Sequence, residues 1–428
     1  MEKIAYGQLQ EELYYEKLEN GLDVYILPKK GFNKTYATFT TKYGSIDNHF
    51  KPYGKTEFVK VPDGIAHFLE HKLFEKEDGD VFQQFSRQGA SANAFTSFTR
   101  TAYLFSSTSN VEKNLETLMD FVQEPYFTEK TVEKEKGIIG QEITMYDDNP
   151  DWRLYYGIIE NMYESHPVKI DIAGTKETIS HITKDMLYEC YNTFYHPSNM
   201  LLFVVGSIDP KEIMKQIKVN QAKKEYTVKP EIERRFDPEI EHVAKKKHVL
   251  KMNVQTPKCL VGIKALPLEV TGTEKLKLEL ATNILLDILF GKSSAGYTEL
   301  YNQGLIDDTF SYDYSQEQGF GFAIVGGDTV DADQLSEKLK RILLDAKTGP
   351  DVTEENLNRA TKKKIGTFLR AINSPEYIAN QFTRYAFNEM DLFDVVPVLE
   401  KITVDDIKTA ASRLVDEERF TVCQVVPK

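Results

Sequence analysis

His67-Phe68-Leu69-Glu70-His71, set inside the run Ile65–Phe74, is the stretch from which the rest of this 428-residue chain is read. The run has the pattern of a helix. On a helix, residues four apart lie one above the other on the same face, so the two imidazoles converge on one ion. Zn2+ accepts such nitrogens at roughly 2.0–2.1 Å and takes a further oxygen or nitrogen ligand beside an open position. Mn2+ or Co2+ fits the same ligand types. Glu70 lies near the ligand face without having to bind the metal, where a general base must sit to take a proton from an attacking water. Histidine is scarce, 8 in 428 residues. With glutamate at about a tenth of the chain, chance places H-x-x-E-H in such a sequence roughly one hundredth of a time.

A third ligand calls for an acid on another element. The helix-like segment Glu133–Asp148, EKEKGIIGQEITMYDD, offers Glu133, Glu135 and Glu142. Glu135 and Glu142 are seven apart, two helical turns, and share a face; one can bind a metal while the other holds an imidazole N–H in place. Spacing alone does not choose between them. Glu133, Asp147 and Asp148 read as solvated. His49, His166, His181, His196, His242 and His248 have no ligand-like spacing and read as surface or packing residues. Trp152, after Asn149-Pro150-Asp151, reads as packing at a turn.

Outward from this centre, strand-like and helix-like runs alternate in two halves. GLDVYILP (Gly21–Pro28) and TYATFTTKYGS (Thr35–Ser45) are dense in β-branched and aromatic residues. Ser91–Thr108 reads as two strands joined by a turn at Phe98–Thr101. Helical patterns occupy Val81–Gln88, Val111–Val122, Lys130–Met145 and Met186–Tyr195, and Leu201–Ser207 is a buried-type strand. Asp209 is placed to cap the helix that follows. A lysine-rich polar stretch, 220–247, reads as a linker between a first domain, 1–219, and a second, 248–428. In the second half, Val249–Gln255, Cys259–Pro267, Gly321–Gly327 and Arg419–Pro427 read as strands, and Leu276–Leu289 and Asp331–Ala346 as helices. LLFVVGSIDPKEI resembles GFAIVGGDTVDADQL, each a strand, a turn and a helix. The expected fold is therefore an α+β unit present twice in tandem.

A chain of this length suits two or three domains, and 41% hydrophobic with 28% charged residues indicates a globular protein with ample core. No run approaches the ~18–20 apolar residues of a membrane span. The acidic, amphipathic N-terminus lacks the layout of a secretory or transit signal. Cys190, Cys259 and Cys423 are isolated and odd in number, as buried thiols in a reducing cytoplasm would be. The net charge of −13 argues against nucleic-acid binding.

His67–His71, the Glu135/Glu142 pair and GASANAFTSFTRTAYLF (Gly89–Phe105) together resemble the insulinase, pitrilysin and mitochondrial-processing-peptidase family, whose H-x-x-E-H motif inverts H-E-x-x-H. The likeness runs through Gly21–Ser207 and continues in the second half mainly as architecture. It implies two homologous sandwich domains, each an antiparallel-rich sheet covered by helices, in a clam-like arrangement with a partner subunit. It implies Glu142 as third ligand of one zinc per chain, and Glu135 as the residue supporting the site. It also implies that Asn93, with Ala94 and Phe95, lies on an edge strand that pairs with an extended peptide. One stretch departs from the pattern. Where relatives carry an Arg and a Tyr that stabilise the reacting carbonyl, this chain has Leu300-Tyr301-Asn302-Gln303-Gly304-Leu305-Ile306-Asp307-Asp308, with neither in register. The resemblance therefore implies a heterodimer with a paralogous metal-free subunit that supplies them, with a homodimer as the alternative assembly.

Three functions follow from these readings. The first is a zinc endopeptidase acting on short or unfolded peptides. The second is a non-catalytic core or assembly subunit, a role also found in the family; retention of His67, Glu70, His71 and Glu142 together argues against it. The third is a maturation factor for one dedicated peptide.

Overall fold

All 428 residues are described in the computed structural model of the chain. The first strands form a hairpin, β1 (Glu2–Tyr6) with β2 (Glu11–Lys17), in a stretch whose sequence pattern had suggested only an amphipathic segment. β3 (Asp23–Pro28) and β4 (Thr35–Thr41) follow, then a short ribbon of β5 (His49–Phe50) and β6 (Val59–Lys60). α1 (Ile65–Leu73) begins after Gly64, whose φ is 89° and whose Cβ, if present, would lie 2.4 Å from the Ala173 carbonyl oxygen. Only glycine satisfies both conditions, so this residue sets where the helix starts. The chain continues through a ribbon of β7 (Glu75–Lys76) and β8 (Gly79–Asp80), α2 (Val81–Arg87), and the hairpin of β9 (Ala90–Thr96) and β10 (Thr101–Ser107). Then come α3 (Val111–Gln123), α4 (Glu129–Asp147), α5 (Pro150–Met162), α6 (Lys176–Ser180), α7 (Lys184–Phe194), β11 (Met200–Gly206) and α8 (Pro210–Ala222). Asp209 caps α8 as its position suggests, accepting from the N–H groups of Lys211 and Glu212.

The second half runs through β12 (Lys247–Met252), β13 (Lys258–Ala265), α9 (Gly272–Phe290), α10 (Ala295–Asn302), β14 (Ser311–Gln316) and β15 (Gly321–Asp328). It ends with α11 (Ala332–Asp345), α12 (Glu354–Ala371), α13 (Pro375–Phe387), α14 (Val395–Leu399), α15 (Val404–Leu414) and β16 (Phe420–Pro427).

The duplication is explicit in the sheets. One sheet has the order β1-β2-β3-β11-β4-β10-β9 and the other β12-β16-β13-β15-β14. Past the added β1–β2 hairpin the two orders match strand for strand. In each, the one parallel pair falls at the same place, β3 with β11 and β12 with β16, and the remaining pairs are antiparallel. This correspondence corrects one sequence comparison. LLFVVGSIDPKEI is β11 and α8, whose strand corresponds to the C-terminal β16, whereas GFAIVGGDTVDADQL is β15 and α11, the counterpart of β10 and α3. The two phrases look alike because buried strands followed by capped helices share composition, not because they hold the same place.

The chain divides into two compact units that are discontinuous in sequence. The first comprises Met1–Ile143, Ile170–Phe236 and Ala371–Phe387; the second comprises Thr144–Lys169, Asp237–Arg370 and Asn388–Lys428. The units mix the sequence halves: α13 belongs to the first unit and α5 to the second. Within the first unit, α13 packs on β11 and β4, and Phe382 meets Tyr25 and Phe203 at 4.8 Å. Every residue of β11 is buried, as expected for a strand covered on both faces. Within the second unit, α5 packs on β13 and β16. A Cβ on Gly262 of β13 would lie 2.3 Å from the Met162 side chain, so α5 approaches closely only because that strand position is glycine.

The polar stretch 220–247 is anchored rather than free. Arg234 bonds Asp47 and the Lys42 carbonyl, both at 2.6 Å, in the first unit. In the second unit, Glu239 accepts from Lys264 and from the N–H groups of Glu164, Ser165 and His166. The three cysteines are buried and form no disulfide. No helix is long and apolar enough to cross a membrane.

Candidate metal centre

α1 is held by its apolar face. Ile65, Phe68, Leu69 and Leu73 are buried, and the helix packs on β9, β10 and α7. That packing draws His67 and Glu70 inward as well, each 9% exposed. The imidazoles of His67 and His71 lie with ring centroids 4.5 Å apart. α4 brings Glu142 to them from a different element, its Oε2 3.8 Å from His67 Nε2 and 3.6 Å from His71 Nε2. Glu135, two turns earlier, places Oε1 3.1 Å from Nδ1 of His71. The two glutamates that spacing could not rank thus occupy different positions, one facing both imidazoles and one behind a single ring.

The ligand atoms of His67, His71 and Glu142 all lie within 4.8 Å of one another. Tetrahedral ligands at zinc distances sit about 3.4 Å apart. The two separations involving Glu142 approach that value, so the donor set fits a zinc ion with little rearrangement.

Burial and the neighbouring His71 lower the His67 pKa to about 4, which keeps that ring neutral, the form a metal ligand requires. Burial opposes charge on His71, but the hydrogen bond to Glu135 and the carboxylates of Glu70 and Glu142 outweigh it and raise its pKa. Burial likewise works upward on Glu135, and His71 outweighs it and holds that carboxyl down. Nδ1 of His67 is buried without a hydrogen-bond partner, so only His71 has a carboxylate behind its ring.

Burial raises the pKa of Glu70, and Thr96 opposes the shift through its hydroxyl and main-chain N–H. The hydroxyl lies 2.6 Å from Oε2 of Glu70. Thr96 lies within the Gly89–Phe105 segment, where nothing in the sequence gives it a role; its contact with Glu70 spans 26 positions and has no local signature. β9 is the terminal strand of its sheet, paired on one side with β10. Asn93 is exposed on it, its Oδ1 accepting from the N–H of Ala94. The Phe95 ring lies 5.9 Å from the Arg100 guanidinium.

The second repeat has no such centre. Its corresponding helices, α9 and α12, contain no histidine. Asn283 and Asp287 stand four apart on α9, and the ammonium groups of Lys364 and Lys363 on α12 bond them. Tyr301 is exposed on α10, while Leu300, Leu305 and Ile306 are buried. Trp152 lies in the first turn of α5, not in an open turn, with its ring stacked on Tyr146 at 4.1 Å.

A duplicated α+β unit whose leading helix bears His-x-x-Glu-His, with a glutamate converging from a second helix, is the ground plan of an inverted H-x-x-E-H peptidase fold. The chain belongs to the insulinase family, peptidase family M16. The family description "Insulinase (Peptidase family M16)" matches residues 60–176, and "Peptidase M16 inactive domain" matches residues 181–364. The chain is 69% identical to the uncharacterized zinc protease YmfH of Bacillus subtilis over 99% of both chains. It is 26% identical to an uncharacterized zinc protease of Rickettsia felis over 95% of this chain and 96% of that one. Among solved structures, an M16-like peptidase from Alicyclobacillus acidocaldarius superposes with a TM-score of 0.93 at 40% identity, covering 98% of this chain and 99% of that one. A protease from Helicobacter pylori shares the fold, with a TM-score of 0.84 at 21% identity over 97% of this chain and 100% of that one.

Proposed function

We propose that this chain is a zinc-dependent endopeptidase that hydrolyses short or unfolded peptides, with His67, His71 and Glu142 holding one zinc and Glu70 as general base. The observation that carries this reading is the convergence of those three side chains beside a buried carboxylate that binds none of them. Bound there, zinc supplies Lewis acidity to the scissile carbonyl and acidifies water. Glu70 takes the proton from the attacking water and hands it to the leaving amine. Glu135 fixes the ring of His71. The free edge of β9 at Asn93, Ala94 and Phe95 receives the peptide as an added strand, main-chain hydrogen bonds aligning it along the sheet. A metal-free paralogous subunit supplies the Arg and Tyr absent near Tyr301 and closes the reaction space in a clam-like cavity, a homodimer being the alternative assembly; the reaction takes place in the cytoplasm.

The test is elemental analysis of the purified chain together with cleavage of an internally quenched peptide, with and without a candidate partner. One zinc per chain, with cleavage that requires or rises with the partner, supports the reading. No zinc after reconstitution would make the protein a non-catalytic binding or assembly subunit, and full cleavage by the chain alone would remove the partner from the scheme.

A further inference from the structure

We infer that Thr96 is a positioning residue for Glu70, an inference that rests on the peptidase reading above and names the group that aims its base. Glu70 lies on α1 and Thr96 is the last residue of β9. The Thr96 hydroxyl donates to Oε2 of Glu70 at 2.6 Å. The direction of the side-chain bond is set by its surroundings. Thr101, opposite Thr96 in the hairpin, spends its single hydroxyl proton on the Tyr43 carbonyl oxygen at 2.9 Å. Its oxygen lies 3.4 Å from that of Thr96, much farther than Oε2 of Glu70 at 2.6 Å, and a carboxylate oxygen accepts, so the Thr96 proton goes to Glu70. The neighbouring tyrosines, Tyr103 and Tyr195, are closed on each other at 2.8 Å.

A short hydrogen bond to one oxygen restricts rotation of the carboxylate about its last side-chain bond. With Oε2 engaged by the hydroxyl, Oε1 is the oxygen left to take the proton from water and return it to the leaving amine. The residue that holds the base also terminates the edge strand of the sheet, so the strand proposed to receive the peptide and the aim of the base are joined through one side chain. A base misplaced by about 1 Å costs on the order of a hundredfold in rate.

Thr96→Val keeps the volume and β-branching and removes only the hydroxyl; Thr96→Ser restores it. The measurements are zinc content, melting temperature, kcat and KM on a quenched peptide, and crystal structures of the zinc-loaded wild type and Thr96→Val. The expected result for Thr96→Val is wild-type zinc content, KM within about twofold, and kcat lower by on the order of tenfold to a hundredfold. Thr96→Ser recovers most of kcat, and Glu70 occupies one conformer in the wild type and a rotated or divided one in Thr96→Val. An unchanged kcat, a loss confined to KM, failure of Thr96→Ser to recover activity, or an undisturbed Glu70 overturns the assignment. If the wild type binds zinc but cleaves no peptide with or without the partner, the peptidase reading fails, and the Glu70 conformer still decides what Thr96 does.

Discussion

Glu135 Oε1 lies 3.1 Å from Nδ1 of His71, while Nε2 of the same ring faces Glu142. The imidazole is gripped from behind by one acid as it is offered to the space beside another. A ring held in this way is fixed in tautomer and orientation before any metal arrives.

Glu135→Gln keeps a hydrogen-bonding oxygen and removes the charge. Zinc affinity is expected to fall about tenfold to a hundredfold, with stoichiometry retained at saturating zinc. Competition with a chromogenic chelator measures it. Wild-type affinity in the variant would mean that Glu135 does no more than pack.

Glu142→Gln removes the converging carboxylate. Bound zinc after dialysis is expected to drop from one per chain to well below one, because two imidazoles on one helix make an incomplete site. The wild-type value is expected to be one and not two, since Lys363 and Lys364 bond the facing residues Asp287 and Asn283 in the second repeat. Elemental analysis reads both expectations at once.

Glu70→Gln leaves all three ligands in place. Zinc content and melting temperature are expected to hold while peptide cleavage falls by about a hundredfold to ten-thousandfold, the usual contribution of a general base. Substantial residual cleavage would assign the proton transfer to another group.

Acid stability follows from a pair in the second unit. Burial lowers the His166 pKa from 6.5 to about 4, so between those values the unfolded chain binds a proton that the folded chain does not. Stability therefore falls as pH drops through that window. Burial pushes Glu239 upward, but Lys264 and the N–H groups of Glu164, His166 and Ser165 outweigh it and hold the carboxyl at about 2. Its contribution is complete above its ordinary value of 4.5 and is lost as pH falls from there towards 2. Urea unfolding midpoints at pH 7, 5.5 and 4.5 are expected to decline in the wild type and to decline less in His166→Asn. Equal slopes for the two proteins would exclude His166 as a source of the acid loss.

Most of the secondary structure is legible in order, because each piece is written in neighbouring residues. The helices at Val111–Gln123 and Glu129–Asp147, the hairpin Ala90–Ser107 and the buried strand Met200–Gly206 fall within a few residues of their sequence reading. The N-terminal hairpin was missed because half of its residues face solvent, and α5 because its Asn-Pro-Asp start reads as readily as a turn. Asn149 and Pro150 are in fact its cap and first residue.

The centre divides along the same line. The sequence by itself determined that His67, Glu70 and His71 share a helix with both imidazoles on one face, because i to i+4 spacing is a property of the helix alone. It also determined that Glu135 and Glu142 share a face, whereas the repeat it suggested rested on two phrases that are not equivalent, and the matching strand orders of the two sheets established it. Only the tertiary structure decided that Glu142 faces both imidazoles and Glu135 backs one, that Thr96 holds Glu70, that β15 answers to β10, and that α5 and α13 each complete the unit built around the other repeat's sheet. Those relations depend on where packed elements come to rest across tens to hundreds of residues, and the burial of apolar faces that drives such packing leaves no trace in local spacing.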